Sequence, residues 1–135
     1  MKSIPTIEKY MTTSPHTIGA DQSLAKAAKL MGEFRIRHLP ILEGGKLVGI
    51  ISDRDLKFIE SFEDVDTERT KVIDACNEEV YMVSTKAPLT EVCAEMAVHK
   101  YGSVLVMDNH KLVGIFTWVD ALKAFNHLLE TRLSA

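Results

Sequence analysis

The chain has little cysteine, no basic excess and no long apolar run, and each shortage closes off a class of function. Two cysteines in 135 residues, Cys76 and Cys93, cannot frame a disulfide-stapled scaffold, and their spacing fits no metal-ligand pattern. They read as ordinary small apolar residues. Acidic residues outnumber basic ones, 19 to 16, giving a formal charge of −3 and a pI near 5.9. A protein that follows a nucleic-acid backbone needs a basic face, so nucleic acid is not an expected partner, whereas one localised anionic ligand remains compatible. No apolar run approaches the roughly 20 residues of a membrane span, and the start MKSIPTIEKYM lacks the core of a signal peptide. The expectation is a cytoplasmic protein with no membrane role. His16, His38, His99, His110 and His127 show no paired spacing on a helix face, so no metal site is expected. Nor is there a Ser-His-Asp ordering, a Cys-His signature, a glycine-rich phosphate loop or an HExxH helix, and no enzyme is expected.

What the chain does have is itself, twice. KLVGIISDRD, Lys46 to Asp55, returns as KLVGIFTWVD, Lys111 to Asp120, at an offset of 65 residues. The same offset aligns Ile7 with Val72, Ile18 with Val83, Leu24 with Leu89 and Met31 with Met96, with no insertion. Two copies are too few for a solenoid, which needs at least about three. The reading is one repeat over residues 1–65 and a second over 66–135, each too small to be stable alone, folded as one body around a pseudo-twofold axis.

Each repeat opens with a turn-rich lead. A helix follows, with Leu24, Ala27, Ala28 and Met31 at i, i+3, i+4 and i+7, matched by Leu89, Val92, Cys93 and Met96. Asp21 is available as a cap near the first helix, and Pro88 suits the first turn of the second. RHLPIL and KLVGIIS flank the turn Glu43-Gly44-Gly45, and SVLVM and KLVGIFT flank Asp108-Asn109-His110, so each pair predicts a β-hairpin. Their near-continuous apolar character suits a sheet covered on both faces. Closing helices are expected from Asp53 to about Phe62 and from Trp118 to about Leu133. The acidic stretch ESFEDVDTERTK reads as a helix end and loop. The fold class is therefore α/β (α+β), two strand-helix-strand-strand-helix repeats packed on each other. The final helix carries Ala121, Leu122, Phe125, Leu128, Leu129 and Leu133, more apolar surface than one small repeat needs, and points to a homodimer.

The recurrent strand end has two readings. Ser52 or Thr117 precedes a helix with Asp55 or Asp120 three positions on, which is the pattern of a capping box. The same geometry suits a ligand: a helix N-terminus and hydroxyl can hold phosphate, and a carboxylate one turn in can accept hydrogen bonds from a ribose diol. Gly49 and Gly114 leave room for a ligand or for close backbone packing.

The lead HTI, the helix with its Leu and Met, RHLPIL, the turn and LVGIISDRD together resemble the cystathionine-β-synthase-type (CBS) domain, and the repeat at 65 residues resembles the tandem pair called a Bateman module. The resemblance runs from about Ile4 to Phe125 and leaves no room for a catalytic domain. It implies two α/β repeats packed through their sheets, with up to two clefts for an adenosine-containing ligand, AMP, ADP, ATP or S-adenosylmethionine, and no cofactor required. Carried over by position, one cleft uses Ser52 and Asp55 with Tyr81, Met82 and Val83, and the other Thr117 and Asp120 with His16, Thr17 and Ile18. Arg37 and His38 fit a basic position near the phosphates, where the second repeat has Gly102 and Ser103 and places bulky Trp118 nearby. Unequal sites are expected. The function implied is a sensor that signals in trans to an effector protein; a ligand-free dimerisation or interaction module is the alternative.

Overall fold

The computed structural model describes residues 3–133. Both repeats have the expected element order. The first consists of β2 (Ile18–Gly19), α1 (Leu24–Phe34), β3 (His38–Glu43), β4 (Lys46–Ser52) and α2 (Asp53–Glu60). The second consists of β5 (Met82–Ser84), α3 (Leu89–His99), β6 (Ser103–Asp108), β7 (Lys111–Thr117) and α4 (Trp118–Leu128). A single 3-10 turn precedes each, Ile7–Lys9 and Val72–Asp74, and a short strand β1 (Thr12–Thr13) follows the first of these. The fold is mixed α/β with two sheets and four helices.

Both predicted hairpins are present, β3 with β4 and β6 with β7, and each carries a register shift at the equivalent place, Ile41/Leu42 and Val106/Met107. A two-residue hairpin turn of type I′ needs positive φ at both central residues. Gly44 and Gly45 adopt 58° and 80° without a Cβ to clash, whereas the second repeat forces Asn109 and His110 to 49° and 64°. Helix α1 is capped by Ser23, whose Oγ accepts from the Lys26 N–H at 3.1 Å, and not by Asp21 two residues earlier. Pro88 is the N-cap of α3, one position before the expected first turn. The buried faces are Leu24, Ala27, Met31 and Leu89, Val92, Met96; Cys93, expected on that stripe, is exposed.

The compact bodies do not follow the repeats. One is Pro15–Val80; the other joins the chain up to Ser14 to the chain from Tyr81 onward. The reason lies in where the leads bury their apolar residues. Ile7 is fully buried with Leu89, Val92 and Phe116, and its N–H donates to the Ala87 carbonyl at 2.9 Å. Val72 is fully buried with Leu24, Leu39 and Ile41, and its N–H donates to the Gln22 carbonyl at 2.8 Å. Each lead thus completes the core of the other repeat. β1 pairs antiparallel with β7, giving the sheet order β1-β7-β6-β5; the other sheet is β2-β3-β4, with an Ile50–Asn77 bridge at the position equivalent to Ile115–Thr12.

Helix α2 ends at Glu60, short of Phe62, where the Ser61 hydroxyl turns back onto the Phe58 carbonyl. Beyond α4, a π-helical turn Leu129–Leu133 reaches the expected end. The apolar stripe read on this helix is mostly not core. Asp120 and Ala124 are buried, Ala121 and Leu128 half-buried, while Leu122, Phe125, Leu129 and Leu133 are exposed.

If the leads complete the cores, Ile7→Ala should destabilise as a core truncation does, by about 2–5 kcal/mol. Chemical denaturation checks this, and a loss below about 0.5 kcal/mol, typical of a surface change, would contradict the exchange.

Candidate functional site

At the first repeat, β4 runs extended into Ser52 and α2 begins with Asp53. The Ser52 hydroxyl accepts from the Asp55 N–H at 3.1 Å, and Asp55 Oδ2 accepts from the Ser52 N–H at 2.9 Å. The capping box is therefore formed, and the carboxylate turns back toward the helix start. It is not exhausted by this role. Asp55 is half-buried, and its Oδ1 has no hydrogen-bond partner among the described residues. The residue borders an open groove of about 470 Å³ with Phe58, Ile59, Thr70, Asp74 and Cys76.

Because β3 pairs antiparallel with β4, His38 stands opposite Ser52. Burial, the largest influence, lowers the pKa of His38; Asp55 pulls it up, Arg37 pushes it down and Asp53 pulls it up. Arg37 is exposed, and its guanidinium makes no hydrogen bond or ion pair among the described residues, although its carbonyl accepts from the Asp53 N–H at 2.8 Å. The corner thus holds an accepting carboxylate oxygen and a hydroxyl, with the His38 imidazole on the paired strand, while Arg37 lines a neighbouring groove with Asp53, Leu56 and Lys57. That set suits a ligand with a sugar hydroxyl and an anionic group. Gly49 is needed there, since a Cβ would stand 2.8 Å from Cys76 Sγ and 3.1 Å from the Asn77 carbonyl.

The second corner is differently occupied. Asp120 is only 8% exposed. Its Oδ2 accepts from the Thr117 N–H at 2.9 Å and from the Thr117 hydroxyl at 3.3 Å, and its Oδ1 accepts from the Thr12 hydroxyl at 2.9 Å. Ser103 stands opposite Thr117, so no cation occupies the place of Arg37 and His38. Trp118 lies with its indole N–H on the Tyr101 carbonyl at 2.8 Å and its side chain exposed. Tyr101 in turn contacts Tyr81, with ring centroids 5.1 Å apart.

The remaining expected residues divide between the two bodies. His16, Thr17 and Ile18 belong to the body that holds Ser52 and Asp55; Tyr81, Met82 and Val83 belong to the body that holds Thr117 and Asp120. His16 stacks on Phe34 at 3.8 Å, and Ile18 is buried on β2 opposite Ile41, so it can offer a ligand only backbone. Met82 is exposed, and Val83 is half-buried against the core. Sequence reading missed Met11, Thr12, Cys76 and Asn77, the lead residues packed on the corners. The offset of 65 aligns Met11 with Cys76 and Thr12 with Asn77, and would have flagged them as a pair that differs between copies.

The sequence profile of the CBS domain matches residues 7–59 and again 72–127. The chain belongs to the CBS domain family. Among solved CBS-pair structures, a protein described as an acetoin utilization protein (AcuB) of Vibrio cholerae is 33% identical, with a TM-score of 0.86 and 95% of each chain covered. The CBS domain pair of protein MJ0100, crystallised with 5′-methylthioadenosine and S-adenosyl-L-methionine, is 26% identical, with a TM-score of 0.82 over 93% of this chain and 98% of that one. The inosine-5′-monophosphate dehydrogenase of Bacillus subtilis is 35% identical over 121 residues, 86% of this chain but 24% of the dehydrogenase. The chain spans about a quarter of the length of the dehydrogenases it matches. Among the described residues no helix is long and apolar enough to cross a membrane.

The depressed pKa of His38 gives a signed prediction. Its folded pKa lies below the ordinary value of about 6.5, so below that pH the unfolded chain binds the proton first and stability falls with pH until the folded group also titrates. Denaturation between pH 7 and 5 should show a steeper loss for wild type than for His38→Gln. Equal slopes would contradict the depressed pKa of His38.

Proposed function

We propose that the chain is a cytoplasmic regulatory module that binds an adenosine-containing ligand, AMP, ADP, ATP or S-adenosylmethionine, and signals in trans to an effector protein as a homodimer. The observation that supports this reading best is the first corner, where Asp55 keeps one carboxylate oxygen without a partner among the described residues and borders an open groove. In this reading Asp55 accepts from the ribose hydroxyls, and Ser52, Arg37 and His38 serve the phosphate or the sulfonium-side substituent. Backbone and apolar groups of Tyr81, Met82 and Val83 meet the adenine. Thr117 and Asp120, with His16, Thr17 and Ile18, are the corresponding groups for the other repeat. Membership of the CBS family and the adenosyl ligands of the MJ0100 pair support the ligand class. A ligand shifts such a module only by binding one of its arrangements more tightly than another.

A ligand-free interaction module is the second reading. Both carboxylates turn back onto their helix starts, which a purely structural cap would also do. Ligand binding and capping part company at Asp55→Asn and Asp55→Ala. Titration calorimetry and thermal shift with AMP, ADP, ATP and S-adenosylmethionine should give heat and a stabilisation of about 2.7 kcal/mol at 100 times the dissociation constant for wild type, and neither for Asp55→Ala. No response to any of the four compounds would leave the interaction module as the function.

The homodimer rests on α4. Trp118, Leu122, Phe125 and Leu129 recur at i, i+4, i+7 and i+11, one helix face, and are 60, 68, 60 and 38% exposed. Leu122→Glu/Phe125→Glu should lower the mass measured by light scattering to that of one chain. An unchanged dimer mass would place the contact elsewhere.

A further inference from the structure

Resting on the adenosyl-ligand reading, the difference between the two corners sets the stoichiometry. The carboxylate of Asp120 has the same chemistry as that of Asp55, yet its Oδ1 is already taken by the Thr12 hydroxyl at 2.9 Å. That hydroxyl makes the bond a ribose hydroxyl would make: an sp3 O–H donating to a carboxylate oxygen. Its equivalent, Asn77, does not copy it. The Asn77 side chain accepts from the Glu79 N–H at 2.9 Å, closing its own local turn and leaving Asp55 Oδ1 without a partner. The backbone pairing is the same at both places, Thr12 with Ile115 and Asn77 with Ile50, so the difference in this bond comes from the side chain.

The preceding residue acts in the same direction. Met11 covers Gly114, its Cγ and Cε 3.0 and 3.1 Å from where a Cβ would stand, with its sulfur closer still. Over Gly49 the equivalent residue is the much shorter Cys76, and there the groove beside Asp55 is open. We propose that Met11 and Thr12 close the second corner as an internal substitute for ligand, so that each chain takes one adenosyl ligand, at the Ser52–Asp55 corner. Two residues of the lead thereby decide how many ligands the tandem repeat binds.

The test is an exchange of those residues between corners, read by calorimetry with AMP and, separately, S-adenosylmethionine. Wild type should bind one equivalent per chain. Met11→Cys/Thr12→Asn should add a second, weaker event, weaker because no cation stands where Arg37 does in the first repeat. Cys76→Met/Asn77→Thr should abolish binding. Two equivalents on wild type, or one equivalent unchanged in both exchanges, would overturn the proposal. A ligand-independent arm separates its failure from failure of the adenosyl reading. The melting-temperature losses of Thr12→Val, Asp120→Ala and the double variant should be non-additive, the double variant melting no lower than Asp120→Ala, and Thr12→Ser should melt as wild type. If neither compound gives heat, the adenosyl reading fails, and the cycle alone then decides whether the corner is closed. Additive losses would show that the Thr12–Asp120 bond is not made in solution and overturn the closure.

Discussion

A carboxylate three residues into the closing helix, bonded back to the amide at the end of the preceding strand, ties sheet to helix in both repeats. Asp55 does this with the Ser52 N–H and Asp120 with the Thr117 N–H, each at 2.9 Å. The bond satisfies a donor that a helix start otherwise leaves unpaired and fixes the angle at which the chain leaves the sheet. It also sets which carboxylate oxygen remains. One oxygen already accepts from the strand end, so the other has the greater capacity left for a ligand, and its surroundings bear most on what the corner can do. At Asp55 they include an open groove; at Asp120 they are Thr12 and near-complete burial.

The exchanged leads follow from the same need to complete small cores. Neither repeat has enough apolar side chains of its own to cover its sheet and helices, and Ile7 and Val72 supply what is missing from the other copy. The exchange sets a residue of each lead, Thr12 or Asn77, against β7 or β4 just before the helix start. Stability and site composition are thus coupled through the lead. Duplication with divergence in the lead gives two corners with one backbone and two chemistries.

Much of the fold was legible in the repeat. Constant spacing of Leu and Met marked α1 and α3, the apolar runs marked the hairpins, and both capping carboxylates were named from Ser/Thr-x-x-Asp. Three things were not. Asp21 lost the cap to Ser23 because the bond to the third amide depends on backbone geometry at one residue, which composition does not reveal. The stripe on α4 was read as one face, yet burial selects Asp120, Ala121, Ala124 and Leu128, a line displaced from the large apolar residues; only the packed sheet defines which face turns inward. The roles of Met11 and Thr12 were hidden because they depend on contacts with residues more than 100 positions away. Unequal sites are expected from Arg37 and His38 against Gly102 and Ser103; the difference in bonding at the two carboxylates lies in the lead.

The account's central claim is that one helix-start carboxylate serves the fold and the ligand at once, with one oxygen for each. The most direct measurement is the NMR spectrum of the side-chain carboxyl carbons and of the Ser52 and Thr117 amides as AMP is added. The account predicts that the Asp55 carboxyl resonance moves with saturation while the Ser52 amide keeps its protection from exchange, and that the resonances of Asp120 and Thr117 stay in place. Loss of Ser52 amide protection on binding, or a response at Asp120 without one at Asp55, would contradict it.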